Sequence, residues 1–277
     1  MLRPLLAAAV AAAAISAPAY AADAQLQAAV NGSQRGEAHK ARDAARHPVE
    51  TLTFWGLKPK QTVIELQPGS GYWTEILAPY AKATGGTYIA TAADLNNPNL
   101  SEAAKTGRAN FEKKYADEAK YGKITYANFG PSSGPLAAPG SADLVITARN
   151  IHNWVTQPGL LEKVLKDAHA ALKPGGVLAV EEHRKDPKPE AANWSDGYMS
   201  EKTVIAAAEK AGFKLQAKSE INANPKDAKD HPFGVWTLPP TRQSAARGQP
   251  ADPSFDRTKY DAIGESDRMT LRFVKVG

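Results

Sequence analysis

The stretch Thr62 to Tyr80, TVIELQPGSGYWTEILAPY, decides the fold. Val63, Ile64 and Leu66 are strand formers in a run too short for a helix, and Pro68, Gly69 and Gly71 end it in a tight turn. Beyond the turn, Trp73, Ile76, Leu77 and Tyr80 recur at i, i+3, i+4 and i+7, one apolar helical stripe that packs back on the strand. Pro79 faces away from that stripe and bends the helix. Gly69 and Gly71 admit a ligand close to the backbone, and Glu65 near the strand's end can accept hydrogen bonds from two hydroxyls. That chemistry suits a nucleoside, with a carboxylate for its ribose. The loop fits neither GxGxxG nor GxxxxGK[ST], so plain turn chemistry is the competing reading.

Upstream, residues 1–21 carry one cation at Arg3, an apolar run from Leu5 to Ile15 and a small-x-small site at Ala19-Tyr20-Ala21. This predicts a cleaved secretory signal peptide and a periplasmic or secreted protein. No later stretch approaches the roughly 20 apolar residues of a transmembrane helix. About 255 residues remain, enough for a single large domain over 22–277. Net charge is +5 with acids and bases interleaved, so nucleic acid is not an indicated partner. The absence of cysteine excludes disulfides and thiolate metal sites, and no metal site is expected.

The N-terminal helical segment, about 24–58, opens on a helix-friendly lead-in at Ala24 to Asn31 and continues as EAHKARDAARHPVETLTF from Glu37 to Phe54. Arg42, Asp43, Arg46 and His47 crowd one helical face before Pro48 ends that helix. Such charge runs are usually solvated faces; the functional alternative is a lid over the ligand.

Downstream, Thr87 to Ala92 reads as a second strand ending near Asp94, Ser101 to Tyr121 as an amphipathic helix capped by Ser101, and Ile124 to Ala127 as a third strand. Asp143 to Ala148 is a buried fourth strand that delivers Arg149, Asn150, His152 and Trp154 at its carboxyl end, where open parallel sheets bind ligands. A helix ending near Leu172 leads to a fifth strand, Val177 to Val180, followed by Glu181, Glu182 and His183. A helix from Ser200 to Ala211 and a sixth strand come next. A long polar insertion, about 222–267, then precedes a last strand, Met269 to Val276, antiparallel to the sixth. Alternating strands and helices predict a doubly wound α/β sheet.

These residues carry a resemblance. VIELQPGSG, DLVITARNIHNW and LKPGGVLAVEEH are similar to the motifs of class I S-adenosylmethionine-dependent methyltransferases. RDAARHPVETLTFWGLKP, RNIHNW and GYMSEKTVIAAAEKAGF resemble a group of exported predicted methyltransferases. The resemblance spans most of the mature chain and implies seven strands in the order 3-2-1-4-5-7-6. It also implies S-adenosylmethionine at Glu65, the loop Gln67, Pro68, Gly69, Ser70 and Gly71, Asp94, Asn128, Phe129 and Arg149. Gln67 departs from the family, which has its first loop glycine there. The implied reaction is methyl transfer to a small-molecule acceptor held by Asn150, Trp154, Tyr198 and the Arg42, Asp43, Arg46, His47 cluster, with His152 and then His183 as candidate bases. An exported binding protein, or another enzyme on this scaffold, is the alternative.

Overall fold

The protein is described by a computed structural model over residues 23–276; the leader expected at residues 1–21 lies outside them. Seven strands form one sheet: β1 (Thr62–Leu66), β2 (Thr87–Ala93), β3 (Ile124–Phe129), β4 (Ala142–Ala148), β5 (Leu172–His183), β6 (Phe213–Ser219) and β7 (Arg268–Lys275). Their order is 3-2-1-4-5-7-6, and β7 runs antiparallel to both its neighbours, as the sequence leads one to expect.

Helices α1 (Ala24–Asn31), α2 (Glu37–Lys40), α3 (Asp43–Arg46) and α4 (Pro48–Trp55) precede the sheet. Then α5 (Thr74–Thr84) follows β1, while α6 (Glu102–Lys114) and α7 (Glu118–Tyr121) link β2 to β3. Two more, α8 (Ile151–Trp154) and α9 (Leu160–Ala171), link β4 to β5; α10 (Glu201–Lys210) precedes β6, and α11 (Thr258–Ile263) precedes β7.

Two apolar layers sandwich the sheet, because successive side chains of a strand point to opposite faces. Along β1, Ile64 and Leu66 join Leu165, Val204 and Leu178 in one layer, while Val63 joins Trp55, Trp73 and Ile76 in the other. Each large side chain so buried stabilises the fold by about 1.5–3 kcal/mol. The stripe forecast for α5 is entirely buried: Trp73, Ile76, Leu77 and Tyr80.

Several local expectations are corrected. The helix-friendly lead-in forms α1 and docks: it buries Leu26, Ala29 and Val30, and the Tyr80 hydroxyl donates to Asp23 beside it. Pro48 starts a helix instead of ending one, since its fixed φ and missing N–H suit the first helical position and His47 before it takes a left-handed φ of 41°. The helix capped by Ser101 stops at Lys114, and Asp117 caps a separate turn, α7. Within the insertion, Gly234–Thr237 forms a 3₁₀ turn and α11 a short helix, and Val235, Thr237 and Leu238 are buried.

The N-terminal cluster faces inward, and its charges are consumed there. Asp43 accepts from Arg35 at 2.6 and 2.7 Å and from the Tyr72 hydroxyl at 2.6 Å. Arg46 stacks over the Tyr72 ring at 4.4 Å. Arg42 and Arg46 both donate to Glu265, at 2.6 and 3.0 Å, and Arg268 of β7 reaches the same carboxylate at 2.6 Å. Arg46 and Arg268 are 1% exposed; Arg46 depends on this carboxylate, while Arg268 also lies 3.0 Å from Glu181. Glu265→Ala strands Arg46 in low dielectric and is expected to cost about 3–5 kcal/mol, read as a lower denaturation midpoint. A change below about 1 kcal/mol, the size of a surface pair, would show that water reaches the cluster.

Candidate functional site

The strand ends after β1, β2 and β3 surround a crevice of about 300 Å³, lined by Gln67, Pro68, Gly69, Ala92, Ala93, Arg108, Phe111 and Phe129. The two loop glycines do different things. Gly69 has φ 60° and a Cβ there would meet no atom within 4 Å, so its backbone is open to a ligand. At Gly71, φ is 92° and a Cβ would lie 1.8 Å from the Tyr115 hydroxyl, so that glycine serves helix packing. Ser70 is exposed between them, with His39 Nε2 3.2 Å from its hydroxyl.

Gln67 holds φ 46°, the left-handed conformation that a glycine adopts freely. Its N–H donates to Thr91 Oγ1 at 2.7 Å, and its side-chain oxygen accepts from the indole of Trp154. Asn150 Nδ2 donates to the carbonyls of Leu66 and Gln67, at 3.0 and 3.3 Å. Asn150 is therefore a brace for the loop from β4.

Glu65 does not reach the strand ends. It lies on the Val63 face of β1, 3% exposed, and accepts from Thr74 Oγ1 at 3.0 Å and from the Tyr88 hydroxyl. Burial raises its pKa to about 7 against the pull of those hydrogen bonds. The carboxylate at the strand ends is Asp94, just past β2, whose Oδ1 takes the N–H of Asn96 at 3.0 Å. No hydrogen bond among the described residues reaches its other oxygen. Asn128 is occupied by Arg108 at 2.6 Å, while the Phe129 ring lines the crevice and packs against Trp154 with centroids 5.7 Å apart.

Beyond β4 and β5 lies a second, larger pocket of about 780 Å³. His152 and Asn153 form its floor, Trp194 and Asp196 one wall, and Phe233, Trp236 and Arg247 of the insertion its roof. His152 is 5% exposed, with Nδ1 2.9 Å from Glu182 Oε1. His183 stands beside it, ring centroids 5.2 Å apart, its Nδ1 2.6 Å from Ser266 Oγ. Burial, then the neighbouring His152, Arg149 and Arg268, hold His183 well below the usual histidine range and hence neutral.

Arg149 takes φ 60° at the end of β4. Its Nη1 lies 3.6 Å from Glu181 without a hydrogen bond, and burial lowers its pKa. Tyr198, expected at the acceptor, is fully buried and donates to Asp227 at 2.9 Å; it supports the edge of His183 instead. Arg42, Asp43 and Arg46 are likewise engaged with Glu265, Arg35 and Tyr72, and His47 serves as the hinge residue before Pro48. Sequence reasoning placed Glu182 after the fifth strand without giving it a role, and missed the roof residues of the insertion. The only available signal for the roof was its aromatic content, Phe233 and Trp236, which reads equally well as anchoring.

Comparison with known proteins agrees with this fold. A family model described as a methyltransferase domain matches residues 38–218. The ubiquinone/menaquinone biosynthesis C-methyltransferase UbiE of Hydrogenovibrio crunogenus is 26% identical over 179 residues, and the match spans 63% of this chain and 63% of that protein. The [4+2]-cyclase SpnF superposes with a TM-score of 0.54 at 12% identity, over 89% of this chain and 86% of its own, a likeness of fold alone. A SAM-dependent methyltransferase from Aquifex aeolicus gives 0.49 at 20% identity over 66% and 87%. With the family match running from α2 to β6 over this sheet order, the chain belongs to the methyltransferase-domain family, the class I S-adenosylmethionine-dependent methyltransferases.

Proposed function

We propose that the protein transfers a methyl group from S-adenosylmethionine to a small-molecule acceptor held in the pocket beyond β4 and β5, in an exported setting. The observation that carries this is the pairing of two compartments across Trp154. On one side, the crevice offers flat apolar faces from Phe111 and Phe129 and the open backbone of Gly69, with the buried Asp94, one of its oxygens without a hydrogen bond, just past β2; on the other is the roofed histidine pocket. The first set fits an adenosine, with ring faces for the base and a carboxylate for ribose hydroxyls. Arg149, half-buried at the end of β4 with one guanidinium N–H lacking a hydrogen-bond partner, is the cation we assign to the cofactor's carboxylate. The fold by itself does not decide the reaction, as the cyclase shows, so the reading rests on these residues.

When bound, the cofactor supplies an electrophilic methyl group, and what the chain contributes is chiefly position. The Gln67 loop fixes one reactant, the insertion keeps water from the other, and a proton on the acceptor leaves at the His152–Glu182–His183 end of the pocket. The N-terminal pattern supports export, and a mature protein beginning at Ala22 or Gln25 in the periplasmic fraction is the corresponding test. Calorimetric titration of the mature protein with S-adenosylmethionine and S-adenosylhomocysteine tests the reading directly, followed by a labelled-methyl screen of small acceptors. If neither compound binds, the function is wrong.

Two variants separate the carboxylates. Asp94→Ala is expected to weaken S-adenosylmethionine binding about 10-fold or more, the loss of a charge-assisted hydrogen bond, while Glu65→Gln leaves affinity within about 2-fold. The reverse pattern would return the ribose to Glu65.

Glu65 also sets a pH dependence. Its folded-state pKa is raised, so the stability it confers is complete below its ordinary carboxylate range and is lost as pH rises through about 7. Glu65→Gln keeps the protonated form's neutrality at all pH. The variant is therefore expected to gain on wild type between pH 5 and 8, by a total on the order of 3 kcal/mol, in parallel urea titrations. A difference that stays flat with pH would mean the carboxyl titrates normally.

A further inference from the structure

The geometry points to a divalent transition-metal site formed by His152, Glu182 and His183 at the ends of β4 and β5, open to the acceptor pocket. One ligand atom from each of the three lies within 4.8 Å of the others. Two imidazoles and one carboxylate are the donor set that first-row ions such as Zn²⁺, Fe²⁺ and Co²⁺ prefer over the oxygen-only shells of Mg²⁺ and Ca²⁺.

The contacts already present match what such a site needs. His152 Nδ1 and Glu182 Oε1 are 2.9 Å apart. That is also about the separation of two neighbouring ligands each at roughly 2.1 Å from one ion, so an ion can replace the shared proton with little movement. Glu182 is held by two backbone N–H groups, that of His152 on Oε2 at 3.2 Å and that of His183 on Oε1 at 2.7 Å, which leaves a lone pair of Oε1 toward His152 Nδ1. Ser266 Oγ holds His183 Nδ1 at 2.6 Å, which orients the ring and leaves Nε2 as its ligand atom. Three protein ligands leave positions open, and His152 lines the pocket roofed by Trp236 and Phe233, so those positions face the place where a small molecule would lie.

The site was not legible from spacing, because His152 is separated from Glu182 by 30 residues. Adjacent strands of a parallel sheet bring them together. The proposal departs from the expectation of no metal and changes the part given to His152: with an ion in place that ring would be a ligand, not a free base. The acceptor class follows on the methyl-transfer reading. It is a molecule with paired oxygen donors, such as a vicinal diol or a hydroxy acid, able to fill two open positions of the ion. Metal binding itself does not depend on that reading.

The test is equilibrium binding of Zn²⁺ and Co²⁺ to the chelator-stripped mature protein. One equivalent per chain is expected, weakened at least 10-fold by His183→Ala or Glu182→Gln and about 10-fold by Ser266→Ala, which removes only the orienting hydroxyl. Since Glu182→Gln can disturb folding, pulsed electron paramagnetic resonance of Cu²⁺-loaded wild type is the second measurement, and nitrogen couplings from two imidazoles are expected. Absence of stoichiometric binding, equal binding in the variants, or a bound ion without imidazole couplings would each overturn the site. S-adenosylmethionine titrated in parallel keeps the two failures apart: cofactor binding without metal removes only this inference, and metal binding without cofactor removes only the function.

Discussion

One carboxylate, Glu265, accepts from three guanidinium groups that come from distant parts of the chain: Arg42 and Arg46 of the N-terminal segment and Arg268 at the start of β7. Arg268 also lies 3.0 Å from Glu181 at the end of β5 and donates to the carbonyl of Ala45. Taking so many charges out of water is expensive, and their mutual attraction offsets that cost only while every partner stays in place. The arrangement is thus weak as a source of net stability and strong as a constraint on position. It fixes the N-terminal helices, the close of the insertion and the polar end of β5 relative to one another. Those are the elements around Arg149, Glu181 and the histidine pocket.

The sheet was legible because its signals are local and repeated: short β-branched runs, a glycine turn and an apolar stripe at helical spacing. The family motifs then supplied the strand order. The N-terminal cluster was harder. Four polar, ionisable residues within six positions look alike whether they meet solvent or a carboxylate more than 200 residues away, and only the fold brings Glu265 to them. The same limit applies to Tyr198, whose hydroxyl is consumed by Asp227, and to the insertion, whose aromatic residues give no sign of which cavity they cover.

The burial of Glu65 is a different kind of case, and the sequence already held the means to place it. Alternation along a strand puts Glu65 on the same side as Val63, in the layer with Trp73 and Ile76, whatever its distance from the strand's end. A carboxylate in that layer must be satisfied from inside, and Thr74 and Tyr88 do so. Asp94 stands one residue beyond β2, where the backbone has left the sheet, buried and with one oxygen turned to the N–H of Asn96.

The departure at Gln67 brings the two compartments into one structural unit. A non-glycine residue in the left-handed region costs about 1–2 kcal/mol, and here Thr91, Asn150 and Trp154 hold it there through backbone and side-chain hydrogen bonds. Trp154 is fully buried, bonds to the loop through its indole N–H, and lays its ring against Phe129 at the crevice. It also ends α8, the single turn that carries His152. A glycine at position 67 would lose the side-chain bond to Trp154 and leave the loop tied to α8 only through the Asn150 amide. With glutamine there, a ligand that presses on the loop acts on the helix turn holding His152, because interiors this closely packed transmit displacement instead of absorbing it.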